Sequence, residues 1–178
     1  MANYLTISRI FLIFPILVLA SPEPNVNNWI ALILFVIAGI TDHLDGYVAR
    51  KTGSTSSLGA LLDLVADKLL IIIAIFYLVS HASSLLIIIP SIVIIMREIV
   101  ISSFRQILAE KEGENLVKVS LLAKSKTTLQ IFALSLLIIS PNFGQYFFFL
   151  TVISFWLAAY ISLHSLYGYL KSYGNFIK

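Results

Sequence analysis

No cysteine occurs among the 178 residues, so neither a disulfide framework nor thiol chemistry is open to this chain, and the count says little about its compartment. Charge is scarce too. Only 12% of the residues are charged while 59% are hydrophobic, which is too apolar for an ordinary soluble domain. No internal repeat and no low-complexity tail is visible. Of the three histidines, His43, His81 and His164, none has a metal-ligand partner four residues on, and each reads as structural. The net charge of +3 invites a nucleic-acid reading, but nearly all the lysines and arginines sit near the ends of apolar runs, so no nucleic-acid partner is expected.

What is present is length and apolar runs, enough for about six spans of roughly 20 residues with short connections. The expected fold is all-α: a polytopic membrane protein of one domain, residues 1–178, with six transmembrane helices and a polar cavity facing the cytoplasm. The first run, Ile10 to Ala20, ends at the breaker SPEPNVNN; a cleavable signal peptide is the competing reading, opposed by a basic region of a single arginine, Arg9. The second starts at Trp29, is apolar to Ile40 and continues through Asp42 and Asp45 to Arg50 and Lys51. The third runs from Leu58 to about Ser80, and the fourth from Leu85 past Arg97, Glu98 and Arg105 to about Ala109. After the hydrophilic EKEGENLVKV come a fifth, Leu121 to Ser140, and a sixth, Gln145 to about Leu170. Pro15 and Pro90 fall inside spans and read as local kinks. The aromatic group Tyr146 to Phe149 with Trp156 and Tyr160 reads as an interface belt.

Alternate connections, near Pro22 to Asn28, His81 to Ser84 and Pro141 to Gly144, carry no lysine or arginine, whereas the opposite side holds Arg9, Arg50, Lys51, Arg105, Lys111, Lys118, Lys124, Lys126, Lys171 and Lys178. The positive-inside rule then places both termini and the polar halves of the helices in the cytoplasm.

Four aspartates gather between the second and third runs, in TDHLDGYVARKTGSTSSLGALLDLVADK. Asp42 and Asp45 are three apart and Asp63 and Asp67 four apart, so on helices each pair shares a face, and the two faces can converge across the turn from Thr52 to Ser57. Acids beside an apolar slab are costly and mark function. Gly46, Ala49 and Gly59 leave bare walls beside them, room for a bulky ligand. A cluster of hard oxygen donors with an open approach suits Mg²⁺ or Mn²⁺, ions commonly shared between carboxylates and substrate phosphates. Buried ion pairs or a proton path would need only one or two acids.

The spacing Asp42 xx Asp45 Gly46 xx Ala49 Arg50, eight residues, Gly59 xxx Asp63 xxx Asp67 resembles the signature of the CDP-alcohol phosphatidyltransferases. That resemblance implies transfer of a phosphatidyl group from a CDP-linked lipid to an alcohol, with release of CMP. Asp42, Asp45, Asp63 and Asp67 would hold two divalent ions, and Asp67 would also be the general base for the acceptor hydroxyl. Asp45, Gly46, Ala49, Arg50 and Gly59 would meet the cytidine nucleotide, helped by Asn3 and Thr6. Competing readings are a positive-inside residue for Arg50 and caps of the first helix for Asn3 and Thr6. A homodimer in the cell membrane is implied as well.

Arg97, Arg105, Lys124 and Lys126 form a cationic group on the cytoplasmic side that suits a phosphate on the acceptor. The bland alternatives are a local role for Arg97 with Glu98 and lysines facing lipid headgroups. The segments MREIVISSFRQILAE and AKSKTTLQ are similar to the branch of the family that joins CDP-diacylglycerol to sn-glycerol 3-phosphate. Branches using phosphatidylglycerol, inositol phosphate or serine share the aspartate motif, and a cation-coupled transporter is the rival from another class. Two departures from the family pattern stand out: Leu64 follows the third aspartate where relatives often have proline, and no proline lies near Asn3.

Overall fold

The structure, a computed structural model, describes the backbone of residues 2–52, 68–69, 71–77, 79, 84–112 and 121–174, and side chains within 11–40, 68–69, 71–77, 79, 84–104, 127–168 and 170–171. It is all-α, with no strand among the described residues. The helices are α1 (Ala2–Leu19), α2 (Val26–Thr52), α3 (Leu85–Glu112), α4 (Leu121–Ile139) and α5 (Gln145–Gly174). Residues 71–77 are helical too; they belong to the expected third run, most of whose first half lies outside the described residues. Two stretches, Leu85–Phe104 of 20 residues and Gln145–Gly168 of 24, are long and apolar enough to cross a bilayer. Val26–Ile40 and Thr127–Asn142 are shorter apolar helices. The chain divides into two compact units, Met1–Ser83 with Leu134–Thr151, and Ser84–Ala133 with Val152–Lys178.

In the first unit α1 packs on α2. Ile13 and Ile16 of α1 are buried, as are Ala31, Phe35 and Ala38 of α2, whose spacing of four and three makes one helical face. Pro22 and Pro24 keep the chain from continuing as helix after Leu19, and Asn25 starts the next one: its Oδ1 accepts the Asn27 N–H at 2.9 Å, the bond expected of an N-cap. Asn28, fully buried, stitches this connection together. Its Oδ1 accepts the Ser21 N–H at 2.7 Å, and its amide donates to the Glu23 carbonyl at 3.0 Å and to Asn142 Oδ1 at 2.8 Å. Asn142 returns a bond to the Asn25 carbonyl at 3.0 Å. The link between α1 and α2 is thereby tied to the 3-10 turn Ser140–Asn142. Trp29 meets Phe143 edge-on at 5.8 Å, and Phe143 stacks on Phe147 at 4.7 Å. Gly144, at φ +77°, takes the left-handed conformation that lets α5 begin immediately after the turn.

In the second unit α3 buries Ile87, Ser91, Ile94, Arg97 and Ile101, and α5 buries Phe155, Ala158, Ser162 and Ser165. The small residues of α5 allow close helix packing, while Ile153, Trp156, Tyr160, Leu163 and Tyr167 form its exposed apolar face, suited to lipid. A proline inside a helix or in the turn that continues it deprives the carbonyl four residues earlier of its N–H. For Pro90 that carbonyl is Leu86, and the Trp156 indole N–H donates to it at 3.0 Å. In the first unit Pro141 does the same to Leu137, whose carbonyl accepts the Ser140 hydroxyl at 3.0 Å. Both repairs answer the demand of an apolar medium that every backbone group find a partner.

Candidate active site

α2 runs unbroken from Val26 to Thr52 and so carries Asp42, Asp45, Gly46, Ala49 and Arg50 on one continuous helix. Positions 42, 45, 46 and 49 are spaced by three and four, the pattern of a single face. Gly59, Asp63 and Asp67 lie outside the described residues; Lys68, next in the chain, is helical and half-buried. Asn3 and Thr6 lie within α1, which begins at Ala2, so the helix already runs through both positions and neither is its N-cap. Arg105 lies in α3, and Lys124 and Lys126 in the first two turns of α4.

Arg97 is the predicted site residue whose surroundings are described in most detail. It is 2% exposed, and all three guanidinium nitrogens donate: Nε to the Ser162 carbonyl at 3.2 Å, Nη2 to the Ser165 hydroxyl at 2.8 Å, Nη1 to Glu98 Oε1 at 3.3 Å. Gln130 of α4 joins them. Its Nε2 donates to Glu98 Oε1 at 3.2 Å and to the Ser162 hydroxyl at 3.4 Å. The charge of Arg97 is thus held inside the protein by α3, α4 and α5 together. Arg97 makes the local pairing with Glu98 and bonds two serines of α5 as well.

Gln130, Ser162 and Ser165 were not singled out from the sequence. The signal was available: a glutamine within an apolar run, and two serines three apart in the last helix, at the spacing of one face. Gln130 Oε1 stands out because it is buried and has no hydrogen-bond partner among the described residues. An orphaned buried acceptor of this kind costs about 1–3 kcal/mol. A separate cavity of about 340 Å³ in the first unit, lined by Ala20, Tyr77, Leu137, Ser140 and Phe148 among others, contains none of the predicted site residues.

A helix bearing two acids three apart, cationic positions on two others, and two helices long and apolar enough to cross a bilayer suit an all-α membrane enzyme that handles phosphorylated substrates. Residues 1–163 match the CDP-alcohol phosphatidyltransferase family, and the chain belongs to it. Among its relatives is a CDP-diacylglycerol–glycerol-3-phosphate 3-phosphatidyltransferase of Haemophilus influenzae, 39% identical over 169 residues, covering 94% of this chain and 90% of the relative. Proteins of the same name from Rickettsia felis (40% identical; 96% and 93% covered) and Wigglesworthia glossinidia brevipalpis (41% identical; 73% and 71% covered) are similar to it as well. The family is membrane-embedded and generally dependent on divalent metal ions.

Proposed function

We propose that this protein transfers the phosphatidyl group of CDP-diacylglycerol to sn-glycerol 3-phosphate, giving phosphatidylglycerophosphate and CMP. The observation that carries this reading is the similarity, over 94% and 96% of the chain, to relatives named for that reaction. The continuity of α2 through both aspartates of the first motif half supports it independently.

In this reading Asp42, Asp45, Asp63 and Asp67 hold two divalent ions, Mg²⁺ or Mn²⁺. The donor set fits: four carboxylates, acceptor-only when ionised, in a chain without a thiol. Bound there, such ions neutralise the diphosphate and favour departure of CMP. Asp67 accepts the proton of the acceptor's primary hydroxyl. The hydroxyl oxygen forms a bond to the phosphatidyl phosphorus, the bond from that phosphorus to the bridging oxygen breaks, and CMP leaves with the electron pair. Gly46, Ala49 and Gly59 admit the nucleotide close to the helix backbones, with Asp45, Arg50, Asn3 and Thr6 as its polar partners. Arg105, Lys124 and Lys126 draw the acceptor phosphate, and the buried charge of Arg97, about two turns away on α3, adds to the same field.

The whole chain serves as one catalytic domain of six spans, a homodimer in the cell membrane, with termini and active site in the cytoplasm. The absence of lysine and arginine from the connections at Pro22 to Asn28 and Pro141 to Gly144 supports that orientation. Purified protein given CDP-diacylglycerol with glycerol 3-phosphate, phosphatidylglycerol, inositol phosphate or serine will release CMP with the first alone. Turnover with only one of the others overturns the choice of acceptor; ion flux without CMP overturns the enzyme.

A further inference from the structure

We propose that Gln130 reads the secondary hydroxyl of the acceptor alcohol, its Oε1 receiving a hydrogen bond from that group. The inference rests on the acceptor proposed above and adds a residue that recognises it.

The orientation of the Gln130 amide is fixed by its neighbours. Glu98 Oε1, 3.2 Å from Nε2, can only accept when ionised, so the NH₂ end must face it and the carbonyl oxygen must face away. Turning the amide over would set its oxygen against the Glu98 carboxylate at 3.2 Å, a repulsion that a 3.4 Å bond from the Ser162 hydroxyl would not offset. Ser162 Oγ, at 3.4 Å from the same nitrogen, holds that end from a second side. What results is an oxygen that is buried, turned away from Glu98 and without a partner among the described residues, on a side chain 2% exposed. Arg97 anchors Glu98 and the Ser162 carbonyl, so the amide is braced by groups that are themselves tied down.

The chemistry of Oε1 selects its ligand. A carbonyl oxygen accepts and does not donate, so it rejects the oxygens of an ionised phosphate and welcomes a hydroxyl. Its position selects which hydroxyl. Gln130 is one helical turn, about 6 Å of rise, beyond Lys126 along α4, on the same face. With the acceptor phosphate drawn by Lys126, a three-carbon alcohol extended along α4 brings its middle carbon toward position 130. The primary hydroxyl is reserved for attack on phosphorus. The secondary one remains to be read, and Oε1 is the acceptor left open for it.

The test compares three acceptors with CDP-diacylglycerol: glycerol 3-phosphate, 3-hydroxypropyl phosphate, which lacks the secondary hydroxyl, and the analogue with fluorine in its place. Fluorine accepts weakly and cannot donate. For the native protein both analogues are expected to lose at least about tenfold in kcat/KM, because a site built to bond a hydroxyl is left with an unpaired group by an analogue that cannot supply it. In Gln130→Met and in Gln130→Asn, which keeps the amide but withdraws it by one methylene, the discrimination is expected to fall below about threefold, with the loss borne by glycerol 3-phosphate. Discrimination that survives both substitutions, or parallel loss with all acceptors, assigns Gln130 a structural role and overturns the proposal. So does a fluoro analogue that performs like the hydroxyl, and that comparison needs no variant to fold. If the native protein turns over a different alcohol and no three-carbon phosphate, the acceptor assignment fails first and takes this inference with it.

Discussion

Trp156→Phe isolates a single hydrogen bond whose worth depends on one other residue. Pro90 has no N–H to give the Leu86 carbonyl, and the indole N–H of Trp156 supplies the replacement at 3.0 Å. Phenylalanine keeps a ring at the position but cannot donate. The Leu86 carbonyl then loses that donor in an apolar medium, a loss of about 1–3 kcal/mol. Little of this is packing, since Trp156 is 46% exposed and half of its surface touches nothing in the protein. In a Pro90→Ala background the outcome changes: residue 90 regains an N–H, the i to i−4 bond onto Leu86 can close, and the same Trp156→Phe substitution is expected to cost under about 0.5 kcal/mol. The coupling between the two positions is therefore about 0.5–3 kcal/mol, at least a twofold shift in the folding equilibrium. Reversible unfolding of the detergent-solubilised protein by SDS titration, on the four members of the cycle, measures it. Equal costs for Trp156→Phe with and without Pro90 would refute the idea that the indole replaces a bond the proline removed.

Three further outcomes are expected. Asp67→Asn lowers CMP release by at least about 100-fold, as loss of a general base does, while the thermal transition of the solubilised protein stays within a few degrees of native; preserved turnover denies Asp67 that role. Chelation of divalent metal abolishes activity and Mg²⁺ or Mn²⁺ restores it, whereas activity that survives exhaustive EDTA treatment removes the metal from the reaction. Asn28→Leu breaks the bonds to Ser21, Glu23 and Asn142 at once and strands their partners, lowering stability by about 2–4 kcal/mol in the same SDS titration; a change under about 0.5 kcal/mol would mean that the stitch contributes little.

Much of the helical layout is legible in the sequence because its signals are local. The prolines of SPEPNVNN, the apolar start at Leu85 and the turn at Pro141 and Asn142 mark helix limits that differ from the expected ones by a few residues. The larger difference is at the N-terminus, where α1 starts at Ala2 rather than with the apolar run at Ile10. Polar residues within a helix do not interrupt it, so hydropathy underestimates its length there. Asn25 is different: it is an N-cap by residue type, but an N-cap can be told from other loop asparagines only once the following turn is seen to bond to it. Bonds between distant positions leave no local trace. Nothing near Trp156 indicates Leu86, 70 residues away, and nothing in TTLQIFALS says that Gln130 meets Glu98, 32 residues away.

The candidate site divides along the same line. Aspartates at motif spacing are recognisable without a fold, because chemistry fixes both the residue type and the interval. Cations are not, because a lysine or arginine near a helix end satisfies the positive-inside rule whether or not it touches a substrate. Arg97 illustrates the ambiguity. Far enough into an apolar helix to need partners, it has them from the Ser162 carbonyl, the Ser165 hydroxyl and Glu98, so its burial is explained within the protein. Removing one member of such a buried pair costs about 3–5 kcal/mol, so Arg97→Ala would lose activity for want of a folded second unit and say nothing about phosphate. Lys126 and Arg105 lie nearer the ends of their helices, and the acceptor assignment is better tested on them. Lys126→Ala should raise the KM for glycerol 3-phosphate by tenfold or more, about 1.4 kcal/mol, while leaving that for CDP-diacylglycerol unchanged. A rise in both together would place Lys126 at the nucleotide or the bilayer surface instead.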